Sequence, residues 1–193
     1  MATVPRTTAR GERSPTFETL VVLAGVFLVQ VPLSLLGFPL ALSPAVFATP
    51  WTLVTATYSH VGLGHLLGNA TLLVFVGFLV ERVTTRVRYH AFFVTSGAIA
   101  GLGQVLVGSS VVGASGAIFA LLGYAITGNV VADRVLSAVD RLSDSRWATT
   151  GLLLAVALVL AVALSRPNSA IVAHVLGLLV GLASGQVRLL HVS

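Results

Sequence analysis

Two residues in this chain have the chemistry of a nucleophile and its base. Ser115 lies in Gly113-Ala114-Ser115-Gly116, where the flanking glycines permit close backbone approach and an exposed hydroxyl at the start of a helix. Free N–H groups at such a start can donate to a developing negative charge. A nucleophilic serine needs a base within hydrogen-bond reach and donors for the oxyanion. His174 is the candidate base: with Gly177 and Gly181 it falls at i, i+3 and i+7, one helix face, on a stripe that lets a neighbouring helix come close. His65 and Asn69 share the face of another helix, with His60 at its mouth. An imidazole N–H and a side-chain amide aimed at one point could form an oxyanion hole with the Ser115 N–H. Each feature also has a packing explanation: small residues for helix contact, a histidine bonded across an interface, and a polar network fastening one helix to its neighbours.

Other chemistries have less support. Cysteine is absent, which excludes thiol nucleophiles and thiolate ligands. Of the 6 acidic residues none falls in the middle of an apolar stretch, so His60, His65 and His174 have no carboxylate to complete a hydrolytic metal set. No metal or cofactor is expected.

The elements that must carry these residues are membrane spans. The chain is 56% hydrophobic and 9% charged, with a mean hydropathy of +0.99, against roughly 25% charged residues in a soluble domain. Thr19–Val80 holds no charged residue, enough for two crossings with a connection. Pro39, Pro44 and Pro50 put that connection at about residues 37–58, and Phe38, Phe47 and Trp51 make it an apolar loop suited to the membrane interface. The first span is expected from Thr19 to Leu36, after a flexible arm over residues 1–18, and the second from about Gly62 to Val83. A further uncharged stretch, Tyr89–Ala132, holds the third and fourth spans, with a turn at Gly108, Ser109, Ser110 and Gly113. A charged loop over 133–146 precedes a fifth span, Trp147–Leu164, and a sixth from Ala170 to about Leu190. The expected fold is an all-α membrane protein, a bundle of about six transmembrane helices over residues 19–190.

Charge agrees with this count. All 11 basic residues are arginines. With six spans only Arg166 falls opposite the termini, and the positive-inside rule makes the side of the termini cytoplasmic. The scattered arginines form no continuous basic face, so nucleic acid is not an expected partner. Ser115 and His174 then both lie toward the non-cytoplasmic side.

Taken in order, His60-x4-His65-x3-Asn69 in the second span, Gly113-x-Ser115-Gly116 opening the fourth and Ala173-His174-x2-Gly177-x3-Gly181 in the sixth resemble the rhomboid family of intramembrane serine proteases. The resemblance runs from about Trp51 to Gly185 and implies a rhomboid-like six-helix bundle. It implies a dyad with Ser115 as nucleophile and His174 as base, and an oxyanion hole of His65, Asn69 and the Ser115 N–H. His60 would support the mouth and Glu81 make a structural contact. Implied partners are single-span membrane proteins, cut within or beside their membrane segment, and the surrounding lipid. Two positions depart from the family: Thr52 follows Trp51 where an arginine is common, and Phe119 stands where some members have tyrosine, keeping the ring that could stack on His174.

Competing functions make different demands. A proteolytically silent rhomboid-like protein that binds membrane helices predicts loss of Ser115 or His174, and both are present. A small transporter would favour a polar lining through the bilayer and internal repeats, and the sequence carries neither. Hydrolysis further requires a water-accessible depression on the non-cytoplasmic side, roofed by the apolar first loop or the turn after the third span.

Overall fold

The computed structural model describes residues 13–128 and 170–192, with isolated positions 137, 151, 152, 155, 159 and 162. Apart from those positions, the expected fifth span, the loop before it and the start of the N-terminal arm lie outside the described residues. The named helices are α1 (Pro15–Leu35), α2 (Thr52–Tyr58), α3 (Leu63–Val80), α4 (Arg86–Leu106), α5 (Ser115–Thr127) and α6 (Ile171–Gln186). The long helices α1, α3, α4 and α5 alternate in direction, whereas α6 runs parallel to α5: Ser115 and His174 meet at their first turns and Thr127 meets Leu182 toward their far ends. One end of the bundle gathers Glu18, Glu81, Arg86 and Arg88; the other gathers His65, Ser115 and His174.

α1 begins four residues before the expected Thr19. Ser14 is the reason: its side chain accepts from the Phe17 N–H, and Pro15 occupies a first-turn position that needs no donor. Residues 15–18 of the expected flexible arm are therefore helix. Glu81 completes this corner, its Oε2 accepting from the Ser14 hydroxyl at 2.7 Å and the Thr16 N–H at 3.1 Å. Arg86 and His90 on α4 both reach Glu18 Oε2, at 2.7 and 2.9 Å. Residues 188–192 close the same end: the Tyr124 hydroxyl meets His191 Nδ1 at 3.0 Å and Arg88 donates to the His191 carbonyl at 2.9 Å.

The connection expected over about 37–58 is not wholly irregular, since α2 occupies its last seven residues. Its prolines all precede the helix, where they cost no helical hydrogen bond. The Trp51 indole donates to the Pro39 carbonyl at 2.9 Å and stacks on Phe38 with centroids 5.1 Å apart. Thr52 is fully buried and donates to the Thr49 carbonyl. The loop is thus fastened without an arginine at position 52.

Tightest packing lies between α5 and α6. Apolar surface gains little by leaving lipid for protein, so such helices associate through van der Waals fit and interhelical hydrogen bonds. Here the fit is main chain on main chain: a Cβ at Gly177 would collide with the Gly116 carbonyl, and one at Gly181 with the Ala120 carbonyl. At the far end the Thr127 hydroxyl donates to the Leu182 carbonyl at 2.8 Å. Gly177→Ala and Gly181→Ala should each destabilise the protein by about 1–3 kcal/mol through overpacking. Gly25→Ala, whose added methyl would have nothing within 4 Å, should leave the melting temperature unchanged or slightly raised. Thermal unfolding of the three variants in detergent checks the contrast.

Candidate functional site

Ser115 is the first residue of α5, so its N–H and those after it lack intrahelical acceptors. The turn before it depends on Gly113. This residue has φ +123°, a region that L side chains avoid, and its N–H donates to the Ala56 carbonyl of α2 at 2.8 Å. A Cβ there would lie 2.7 Å from His65 Cε1 and 3.6 Å from Asn69 Nδ2. Glycine at 113 therefore lets the strand leading into Ser115 lie directly against the His65 and Asn69 side chains of α3.

His174 lies in the first turn of α6, and its Nε2 is 2.9 Å from Ser115 Oγ. No carboxylate is needed to hold the ring, because Phe119 stacks on it with centroids 4.5 Å apart and planes 8° from parallel. Phe119 lies one helical turn after Ser115, so the same helix supplies nucleophile and stacking platform. Gln104, near the end of α4, accepts the Ala173 N–H at 3.3 Å and ties the opening of α6 to its neighbour.

On the α3 side, Asn69 is buried and its Nδ2 has no hydrogen-bond partner among the described residues. His60 is 2% exposed, and its ring stands edge-on to His65 at 5.0 Å. Its Nδ1 faces the Tyr58 carbonyl at 3.2 Å, which assigns the proton to Nδ1.

A cavity lies beside Ser115, lined by Ala56 and Thr57 of α2 and Gly97 and Gly101 of α4. Its inner part leaves about 10 Å³ for the centre of a water molecule, room for one. Leu42 of the first loop and Val111 of the turn after α4 exchange backbone hydrogen bonds of 3.0 and 2.9 Å above it. The roof expected from one or other of these segments is built from both.

The structure thus brings together Ser115, His174, His65, Asn69, His60, Gly113 and Phe119, with Gly116, Gly177 and Gly181 forming the seam behind them. Sequence reasoning missed the Ala56 carbonyl, which has no sequence signal, and Gln30, whose amide pairs with the His60 peptide. The signal for Gln30 was available: one amide in an otherwise apolar first span.

The described residues thus form a helical bundle with a serine–histidine pair at one end and the unpartnered Asn69 amide nitrogen on the α3 side of it. Residues 48–190 match the family model of the Rhomboid domain, and the chain belongs to the rhomboid family. The comparison with curated proteins gives no match. Membership agrees with α1 and the Leu63–Val83 segment, each long and apolar enough to cross a bilayer.

The geometry makes a chemical prediction of its own. A fluorophosphonate should label the native chain and fail on Ser115→Ala. Gly113→Ala should cut the labelling rate at least about tenfold by displacing His65 and the Ser115 turn. Gly108→Ala, also at positive φ but with open space around it, should label within about twofold of native, which separates the His65 contact from backbone strain.

Proposed function

We propose that this protein is an intramembrane serine endopeptidase that cleaves single-span membrane proteins within or beside their membrane segment. The 2.9 Å contact between Ser115 Oγ and His174 Nε2 carries the reading. Ser115 Oγ attacks the scissile carbonyl carbon while its proton passes to His174 Nε2. The carbonyl oxygen becomes an oxyanion, received by the Ser115 N–H, Asn69 Nδ2 and His65. Collapse expels the amine, which takes the proton from His174, and leaves an ester on Ser115. A water then gives a proton to His174 and attacks the ester, and a second collapse frees the carboxyl product and restores the hydroxyl. The narrow cavity between α2 and α4 is a suitable store for that water.

Arginine asymmetry supports cytoplasmic termini and a site opening to the opposite side. Substrate selection follows from helix physics: a membrane helix has its carbonyls hydrogen-bonded, so the peptide to be cut must first unwind, which favours segments with small or helix-breaking residues.

Cleavage of a single-span reporter in liposomes tests the proposal. Ser115→Ala and His174→Ala should each abolish cleavage, and undiminished cleavage in either would sink the dyad. A proteolytically silent protein would neither cleave the reporter nor react with fluorophosphonate. Asn69→Ala should slow turnover by ~10² as the loss of one oxyanion donor; an unchanged rate would reduce Asn69 to packing. Phe119→Tyr, which keeps the stacked ring, should stay within about threefold of native, whereas Phe119→Ala should lose about tenfold or more in kcat as His174 loses its orientation.

A further inference from the structure

Gln30 stands in the second half of α1, where the helix is otherwise bound loosely. The buried residues of α1 are Pro15, Thr16, Thr19 and Leu23, all in its first half. Beyond Leu23 the side chains are half-buried or exposed, which suits lipid and gives no reason for an amide. An amide in hydrocarbon is costly unless both its donor and its acceptor are satisfied. Gln30 satisfies both on one residue: Nε2 donates to the His60 carbonyl at 2.6 Å, and Oε1 accepts the His60 N–H at 2.9 Å.

The peptide gripped in this way is the one least able to hold itself. α2 ends at Tyr58 and α3 begins at Leu63, and Ser59 leaves the helix with an extended backbone. His60 is therefore in a non-helical linker with its ring buried against His65. Two parallel hydrogen bonds to one residue fix its rotation as well as its position, as paired strands do.

Resting on the hydrolytic reading above, we infer that Gln30 is a positioning residue for the oxyanion side of the site. By clamping both polar groups of the His60 main chain, it sets the His60 ring that abuts His65, and so sets His65 beside Ser115. Gln30 touches no reacting atom. Its influence passes from α1 through His60 to His65, and its loss loosens the transition-state donors more than substrate binding.

The test compares native protein, Gln30→Leu, Gln30→Glu, His60→Ala and the double variant Gln30→Leu/His60→Ala in liposomes with the reporter. Active sites are counted by fluorophosphonate so that rates refer to folded protein. Gln30→Leu should lower kcat about tenfold with KM within about twofold. A protonated glutamic acid can donate and accept as the amide does, and the carboxylate cannot donate. The activity of Gln30→Glu relative to native should accordingly rise as pH falls, while that of Gln30→Leu stays flat. In the His60→Ala background, adding Gln30→Leu should cost less than about twofold, because the path is already cut. A native kcat per labelled site in Gln30→Leu, a change confined to KM, or full additivity with His60→Ala would each overturn the inference while leaving the protease reading intact. A native chain that neither cleaves nor labels would overturn both. Should Gln30→Leu fail to fold, the pH response of Gln30→Glu decides alone.

Discussion

A 2.9 Å hydrogen bond between side chains at the openings of two different helices requires those helices to touch almost main chain to main chain. Serine is short, and histidine reaches it only if the axes of α5 and α6 come closer than ordinary side chains permit. Gly177 and Gly181 of α6 and Gly123 of α5 supply that approach, each lying against the main chain of the facing helix. Around this seam the other parts take their places: Gln104 ties α4 to the start of α6, Phe119 lays its ring on His174, and Gly113 lets α3 present His65 and Asn69 to the turn before Ser115. The site is a by-product of packing without side chains, and among the described residues a stacked ring rather than a carboxylate lies against His174.

The two ends of the bundle use different physics. At the end holding Glu18 and Glu81, charged groups are shared between elements distant in sequence, and His90 and Arg86 compete for one carboxylate oxygen. At the opposite end no described acidic residue takes part. Neutral donors and acceptors meet there through single, directional contacts, and two loops share one pair of backbone bonds. That end has less to hold it closed, which suits the proposed cleavage of a polypeptide.

Much of this was legible in the sequence for identifiable reasons. Uncharged stretches of span length and proline placement report the bilayer directly, so α3, α5 and α6 lie within the stretches expected for them, while α4 begins three residues ahead of Tyr89, at Arg86, where Thr85 caps it. The ordered His-Asn, Gly-x-Ser-Gly and His-Gly-Gly motifs report helix faces, and faces are set by local periodicity. What stayed hidden is of two kinds. Ser14 as a cap and α2 inside a proline-rich loop rest on short-range signals that the charge and hydropathy pattern does not carry, whereas the Ala56 carbonyl behind Gly113 and the Gln30 clamp are decided by contacts across long sequence separations. A main-chain carbonyl has no letter of its own, so no reading of residue types could have found Ala56 as the partner of Gly113.

At most contacts in a protein interior an enlarged residue can be relieved by trimming the one it meets, and sequences drift by such paired exchanges. The α5–α6 seam admits no such remedy. A methyl at Gly177 meets the main chain of Gly116, and one at Gly181 meets the main chain around Ala120; there is no side chain opposite to shorten. Change at these positions meets main chain rather than a side chain that could be trimmed in compensation, whereas the lipid-facing residues of α1 can be exchanged one for another freely. The seam is the part of this molecule that heredity can keep or lose, but not rewrite.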